Sequence, residues 1–107
     1  MTITDILRDL QDPNTSPGRL SAILMFLSAD YSRKSEEFSK VVIMRAKAWK
    51  ELRAKHGSDK QAEMEWNATP EGIAETMLRL EMKSSERMQS AIKAMLRTKE
   101  HEARNQY

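Results

Sequence analysis

Between residues 19 and 53 the chain contains no Gly, Pro or Asn, and a single Asp, Asp30. A stretch that long without a breaker points to one long α-helix, because no residue in it removes a backbone donor or favours a non-helical turn. The apolar residues Leu20, Leu24, Leu27, Tyr31, Phe38, Val42, Trp49 and Leu52 recur along it. At about 100° per residue they fall within a sector of roughly 80°, the narrow stripe of an amphipathic helix. Arg33, Lys40 and Lys47 fall on the opposite side. One rod is therefore expected to carry a packing seam and a basic rail back to back.

The flanking segments read as three further helices. Ile3, Ile6, Leu7 and Leu10 follow an i, i+3, i+4, i+7 pattern, which predicts a short helix over 3–11 capped by Thr2 or Thr4 and ended at Asp12-Pro13. Asn14 to Gly18 form a turn in which Ser16 caps the long helix and Pro17 takes its first position, where a missing N–H is no loss. The long helix is assigned to 19–56, with Gly57 as the left-handed residue that stops it. Ser58-Asp59-Lys60-Gln61 has the S-x-x-Q form of a capping box and predicts a helical elbow over 59–66, with Trp66 packed over its end. Thr69 and Pro70 then open a last helix over 70–103. Its buried face is expected to be Ile73, Met77, Leu80, Ser84, Met88, Ala91 and Met95, and it frays before Tyr107. There is no internal repeat and no low-complexity segment.

Composition narrows the fold class. At 107 residues, 39% hydrophobic and 32% charged, the chain suits one domain, 1–107, with a thin core between helices lying side by side. Three Gly, three Pro and 6% aromatics weigh against a sheet. The expected fold is all-α: a long antiparallel helical hairpin with a short N-terminal helix, assembling into a helical-bundle oligomer. Charge agrees with the hairpin, since the basic stretch from Arg45 to Lys55 would run beside Glu71, Glu75 and Glu81, and Lys93, Arg97 and Lys99 would approach Asp30, Glu36 and Glu37. In a monomeric hairpin Arg45 should turn toward Glu75 or Glu81. Residues 23–27 and 41–44 are apolar nearly all round the helix, so more than one side of each needs cover. The short helix is expected to cover the first run and a second copy the other, and the candidate oligomer interface is Met25, Phe26, Ile43 and Met44. The 8 Met residues read as gap-fillers along helical seams.

Several function classes find no support. Without Cys there is neither a disulfide scaffold nor a thiolate metal site. The N-terminus is acidic where a signal peptide is basic, and no apolar run approaches the length of a membrane span, so a cytoplasmic protein without a membrane segment is expected. His56 and His101 have no ligand-type partner at i+4, and no glycine loop, nucleophile elbow or carboxylate pair is present. The expectation is a non-enzyme with no catalytic residue, no metal and no cofactor. His56 is a last-turn residue favoured by the helix dipole.

That leaves the basic stretch, which reads either as a solvated face with internal ion pairs or as a phosphate-binding track. The candidate nucleic-acid-binding residues are Arg33, Lys40, Arg45, Lys47, Lys50 and Arg53, with Trp49 or Tyr31 available to stack on a base. The order of features resembles the UvsY-like recombination mediators of tailed phages: a long first helix, the run Val42-Ile43-Met44-Arg45-Ala46-Lys47-Ala48, a polar turn, an Ala-Glu-Met segment, and a helix ending in Ala91-Ile92-Lys93 and further basic residues. The resemblance covers about residues 28–97 and implies a small helical oligomer that binds single-stranded DNA and works with a RecA-type recombinase or a single-strand-binding protein. The family's aliphatic and basic-Ala-basic pattern falls on Arg45 and Lys47. The chain is short for that family, and its last helix lacks the aromatic-rich character of the family's assembly region. The alternative is a small protein-binding helical module, an inhibitor or adaptor of a host protein, acting through the apolar bands around Phe26 and Ile43.

Overall fold

The computed structural model describes residues 1–105. It consists of four helices, α1 (Ile3–Gln11), α2 (Pro17–Lys55), α3 (Asp59–Ala68) and α4 (Pro70–Asn105), and among the described residues there is no strand. The two long helices, α2 and α4, pack against each other antiparallel, as a helical hairpin requires. Tyr107 lies outside the described residues.

The helix boundaries follow from local capping. Thr2, not Thr4, opens α1: its hydroxyl accepts the Asp5 N–H at 3.1 Å, and the Asp5 carboxylate accepts the Thr2 N–H at 3.4 Å. Ser16 caps α2 by accepting the Arg19 N–H at 3.1 Å, and the helix begins at Pro17 rather than residue 19. Its other end corrects the expectation for Gly57. No glycine has a positive φ, so α2 is not stopped by a left-handed residue. Side chains end it: Arg53 Nη1 donates to the His56 carbonyl at 3.0 Å, and Gln61 Oε1 accepts the Gly57 N–H at 3.2 Å. Ser58 caps α3 by accepting the Gln61 N–H at 3.2 Å. Only half of a capping box forms, because the Gln61 amide is turned to Gly57. At the next junction the Thr69 hydroxyl donates to the Trp66 carbonyl at 2.6 Å and accepts the Gly72 N–H at 3.0 Å, ending α3 and opening α4 with one side chain.

Contacts group the chain into two compact units. The first comprises Met1–Asp30 and Ser84–Tyr107. Its core is Ile6, Leu20, Ile23, Leu27 and Ile92, with Leu10, Leu24, Met88, Met95 and Leu96 packed around it. Burying each of these large aliphatic side chains is worth about 1.5–3 kcal/mol. Ile6 brings α1 onto the apolar start of α2, as the sequence leads one to expect. Polar contacts fix the unit's register: Arg19 Nε meets Asp9 Oδ2 at 2.7 Å, Ser28 Oγ donates to Gln89 Oε1 at 3.1 Å, and Lys99 Nζ donates to the Pro13 carbonyl at 3.2 Å.

The second unit, Tyr31–Lys83, holds α3 and the adjoining parts of α2 and α4. Ala62 and Trp66 of α3 are buried here, as is Glu75 of α4. Lys34 meets Glu81 at 3.2 Å, and the Arg79 guanidinium lies 5.8 Å from the Phe38 ring centroid. Glu36 and Glu37, expected to meet cations of the last helix, pair along α2 with Lys40 and Arg33.

The buried face of α4 differs from the expected one. Ile73, Met77 and Leu80 are 49%, 56% and 61% exposed, and Ser84 and Ala91 also face solvent. Gly72 is buried and Ala74 half-buried, and from Glu75 onward the shielded positions are Glu75, Leu78, Met82, Ser85, Gln89, Ile92, Leu96 and Lys99, with Met88 and Met95 half-buried beside them. Their alternating steps of three and four residues are a strict seven-residue repeat. On α2 the shielded positions Leu20, Ile23, Leu27, Asp30, Lys34, Phe38, Val41, Arg45, Ala48 and Leu52 follow the same alternation, with one extra step of four from Lys34 to Phe38, and Leu24, Tyr31 and Trp49 of the expected stripe are shielded beside them. Val42, assigned to the seam by its apolar character, is exposed. The reason is chemical: the seam is rich in polar and charged residues, so tracing apolar character alone leads to the outer stripe of α4.

Candidate binding face

The six basic residues proposed as a nucleic-acid rail separate into two groups. Arg45 is a seam residue. Its Nη1 meets Glu75 Oε1 at 3.2 Å, its Nη2 meets Glu63 Oε1 at 3.0 Å, and its guanidinium lies 5.4 Å from the Trp49 ring centroid. Glu75, only 2% exposed, also accepts from Arg79 Nη2 at 3.0 Å and from Trp66 Nε1 at 3.2 Å. A buried carboxylate with three donors is a satisfied network joining α2, α3 and α4, and Arg45 is part of its structure. This is the orientation expected of Arg45 in a monomeric hairpin. Arg53 meets Asp59 at 2.5 Å and donates to the His56 carbonyl. Arg33 pairs with Glu37 at 2.9 Å.

The three lysines differ. Lys40 makes only a loose, exposed i, i+4 pair with Glu36 at 3.8 Å, and no described carboxylate pairs with Lys47 or Lys50. All three are exposed, and helical spacing sets them on the outer side of α2, away from Arg45. Val42, Ile43, Met44 and Ala46 are exposed on the same segment, while Trp49 is half-buried. Val42, Arg45, Ala46 and Trp49 line a shallow, mostly apolar groove of about 390 Å³. The small side chain of Ala46, between Val42 one turn before it and Trp49 one turn after, makes the notch. Residues 38–50 contain Lys40, Arg45, Lys47 and Lys50 and no carboxylate; Glu36, Glu37 and Glu51 lie just outside.

The four candidate oligomer residues are all exposed, Met25 at 75% and Phe26 in the first unit, Ile43 at 54% and Met44 in the second. Two features escaped the sequence reading. One is the exposed apolar stripe Ile73, Met77 and Leu80, which a helical wheel marks as core. The other is the extent of the network around Glu75: its pairing with Arg45 was expected, but its bonds from Trp66 and Arg79 were not.

The carboxylates with displaced titration lie elsewhere. Hydrogen bonds from Lys55 and His56 hold Glu65 below the ordinary carboxylate range, the Lys55 contact being 2.7 Å. The Arg19 hydrogen bond, assisted by Arg8, does the same for Asp9, and the Thr2 cap does so for Asp5. Each is a charge-stabilising contact at a helix end or turn. Among the described residues no group of three or more His, Cys, Asp or Glu could hold a metal ion, and no helix is long and apolar enough to cross a membrane.

No protein family, no curated protein and no solved structure matches the chain.

Proposed function

We propose that this is a non-catalytic helical binding protein, an adaptor or inhibitor that engages a protein partner through the exposed face of α2 over residues 39–50. The observation that carries the reading is the apolar groove formed by Val42, Ala46 and Trp49, set at i, i+4 and i+7 along one face of α2. Contiguous apolar surface on a helix marks an association site, and helix-in-groove recognition uses this kind of anchor spacing. A photo-crosslinking residue placed at position 46 tests it in the cells that make the protein. A discrete protein adduct from position 46, with none from the exposed position 87, supports the reading. Equal adducts from both positions overturn it.

A second reading follows the resemblance to phage recombination mediators: binding of single-stranded DNA, and with it a RecA-type recombinase or single-strand-binding protein as partner. Its support is the outward alignment of Lys40, Lys47 and Lys50 without a carboxylate between them. Lysines spaced on one helix face neutralise phosphates without reading sequence. Binding of a labelled single strand should then fall steeply with salt, and Lys40→Ala with Lys47→Ala should flatten the salt slope by about 0.7 per contact. Absence of salt-dependent binding at about 50 mM salt, where counterion release is most favourable, removes this reading.

A further inference from the structure

We infer that the partner of the α2 face is an acidic amphipathic helix, seated with its apolar stripe on Val42, Ala46 and Trp49 and its carboxylates toward Lys47 and Lys50. The inference deepens the protein-binding reading and rests on it. The floor is apolar at i, i+4 and i+7, and the notch over Ala46 accepts one large side chain from above. Beyond that floor the outward surface is basic: helical geometry sets Lys50 beside Ile43, and Lys47 and Lys40 beyond it. The opposite edge is electrically closed, because Arg45 is held by both Glu63 and Glu75. Attraction for an incoming helix therefore comes from one side only, which fixes where its carboxylates must lie and hence its orientation.

Nucleic acid fits the same face less well. A phosphate strand would meet Ile43 set among the lysines and leave the groove at Val42, Ala46 and Trp49 unfilled. An acidic helix with an apolar stripe uses both parts at once.

The test uses the full chain and three probes: a synthetic amphipathic peptide with leucines at helical spacing and a glutamate flank, the same peptide with lysine in place of each glutamate, and an oligo-dT strand. Binding of the glutamate peptide should exceed that of the lysine peptide about tenfold at low salt, since two exposed ion pairs are gained in one case and two like-charge contacts in the other. Lys47→Glu with Lys50→Glu should reverse that preference, a result no merely structural role of these exposed residues produces. Ala46→Arg, which fills the notch at an exposed position, should abolish binding of the glutamate peptide. If both peptides bind wild type equally and Ala46→Arg abolishes both, the face binds proteins but the acidic partner is refuted. If neither peptide binds, or if Ala46→Arg changes nothing, the protein-binding reading falls with it. Preferential binding of oligo-dT gives the face to nucleic acid, and a wild-type dimer that Ala46→Arg dissociates gives it to a second copy; either result overturns the inference.

Discussion

Replacing Gly72 with Ala should unfold this protein more easily, although alanine is the better helix former. Gly72 is the third residue of α4, and its φ is not positive, so its lack of a side chain serves space rather than backbone freedom. An added Cβ would lie 1.8 Å from the Trp66 carbonyl oxygen, 2.6 Å from the Trp66 carbonyl carbon and 2.9 Å from the Asn67 Cα. All three are backbone atoms, so no rotamer change relieves the overlap, and the junction of α3 and α4 must move. The Trp66 carbonyl accepts the Thr69 N–H at 3.0 Å and the Thr69 hydroxyl at 2.6 Å, and that hydroxyl caps α4, so movement there disturbs both helix ends. Helix propensity returns about 1 kcal/mol at most. Overpacking costs about 1–3 kcal/mol or more, and disturbing the cap about another 1 kcal/mol. The net loss is about 2–3 kcal/mol, which for a chain of this size lowers Tm by about 10–15 °C in thermal unfolding followed by circular dichroism. Gly18→Ala is the control, because its Cβ would have Ser16 Oγ at 3.9 Å as its nearest neighbour, and it should raise Tm by a few degrees. A Gly72→Ala protein as stable as wild type would refute the reasoning.

Glu75→Ala leaves two guanidiniums and an indole N–H without their shared acceptor; with Arg45 and Arg79 partly solvated the cost is about 2–3 kcal/mol in urea unfolding, and Glu75→Gln should lose about half as much. No difference between Glu75→Ala and a surface substitution would show that the network carries no stability. The folded-state titrations of Glu65 and Asp9 are depressed, so their contributions are complete above the ordinary carboxylate range and disappear as pH falls through and below it. Glu65→Gln should accordingly flatten the acid limb of a stability–pH curve, and an unchanged limb speaks against the Lys55 and His56 contacts. Ile43→Glu should leave helicity unchanged, as the side chain is exposed, and should lower the native mass if the self-association expected from residues 41–44 occurs. Sedimentation of wild type as a monomer at micromolar concentration would end that expectation.

The class of fold was legible because long helices announce themselves through the absence of breakers, and the caps at Ser16, Ser58, Thr69 and Thr2 are chemical signals only a few residues long. Which face of α4 turns inward was not legible by the same means. Wheel analysis assumes that apolar residues go inside, yet this seam contains Glu75, Ser85, Gln89 and Lys99 while Ile73, Met77 and Leu80 remain outside. The shielded positions from Glu75 through Ser85, Gln89 and Ile92 to Lys99 follow a seven-residue repeat whatever their chemistry. Gly57 misled for a related reason: glycine after a helix favours a left-handed stop, but here Arg53 and Gln61 satisfy the end groups from side chains and make that stop unnecessary.

The division of the candidate site follows the chemistry of its two cation types. All three arginines of the expected rail are engaged in ion pairs, Arg45 across to α3 and α4, Arg53 across to α3, and Arg33 along α2, whereas Lys40, Lys47 and Lys50 point to solvent. A guanidinium offers several donors in a rigid fork and is weakly hydrated, so it joins elements at small entropic cost; an ammonium on a flexible stem is a strongly hydrated point charge that stays in water. Among these six residues the arginines are the paired cations and Lys47 and Lys50 the available ones, a distinction that a count of positive charges erases. It also bears on the partner. Bidentate recognition of phosphate favours arginine, and Arg45 and Arg53 are taken up by contacts to α3 and α4. What α2 offers outward is lysine charge beside an apolar floor, which calls for a ligand with carboxylates on one flank and hydrocarbon at its centre.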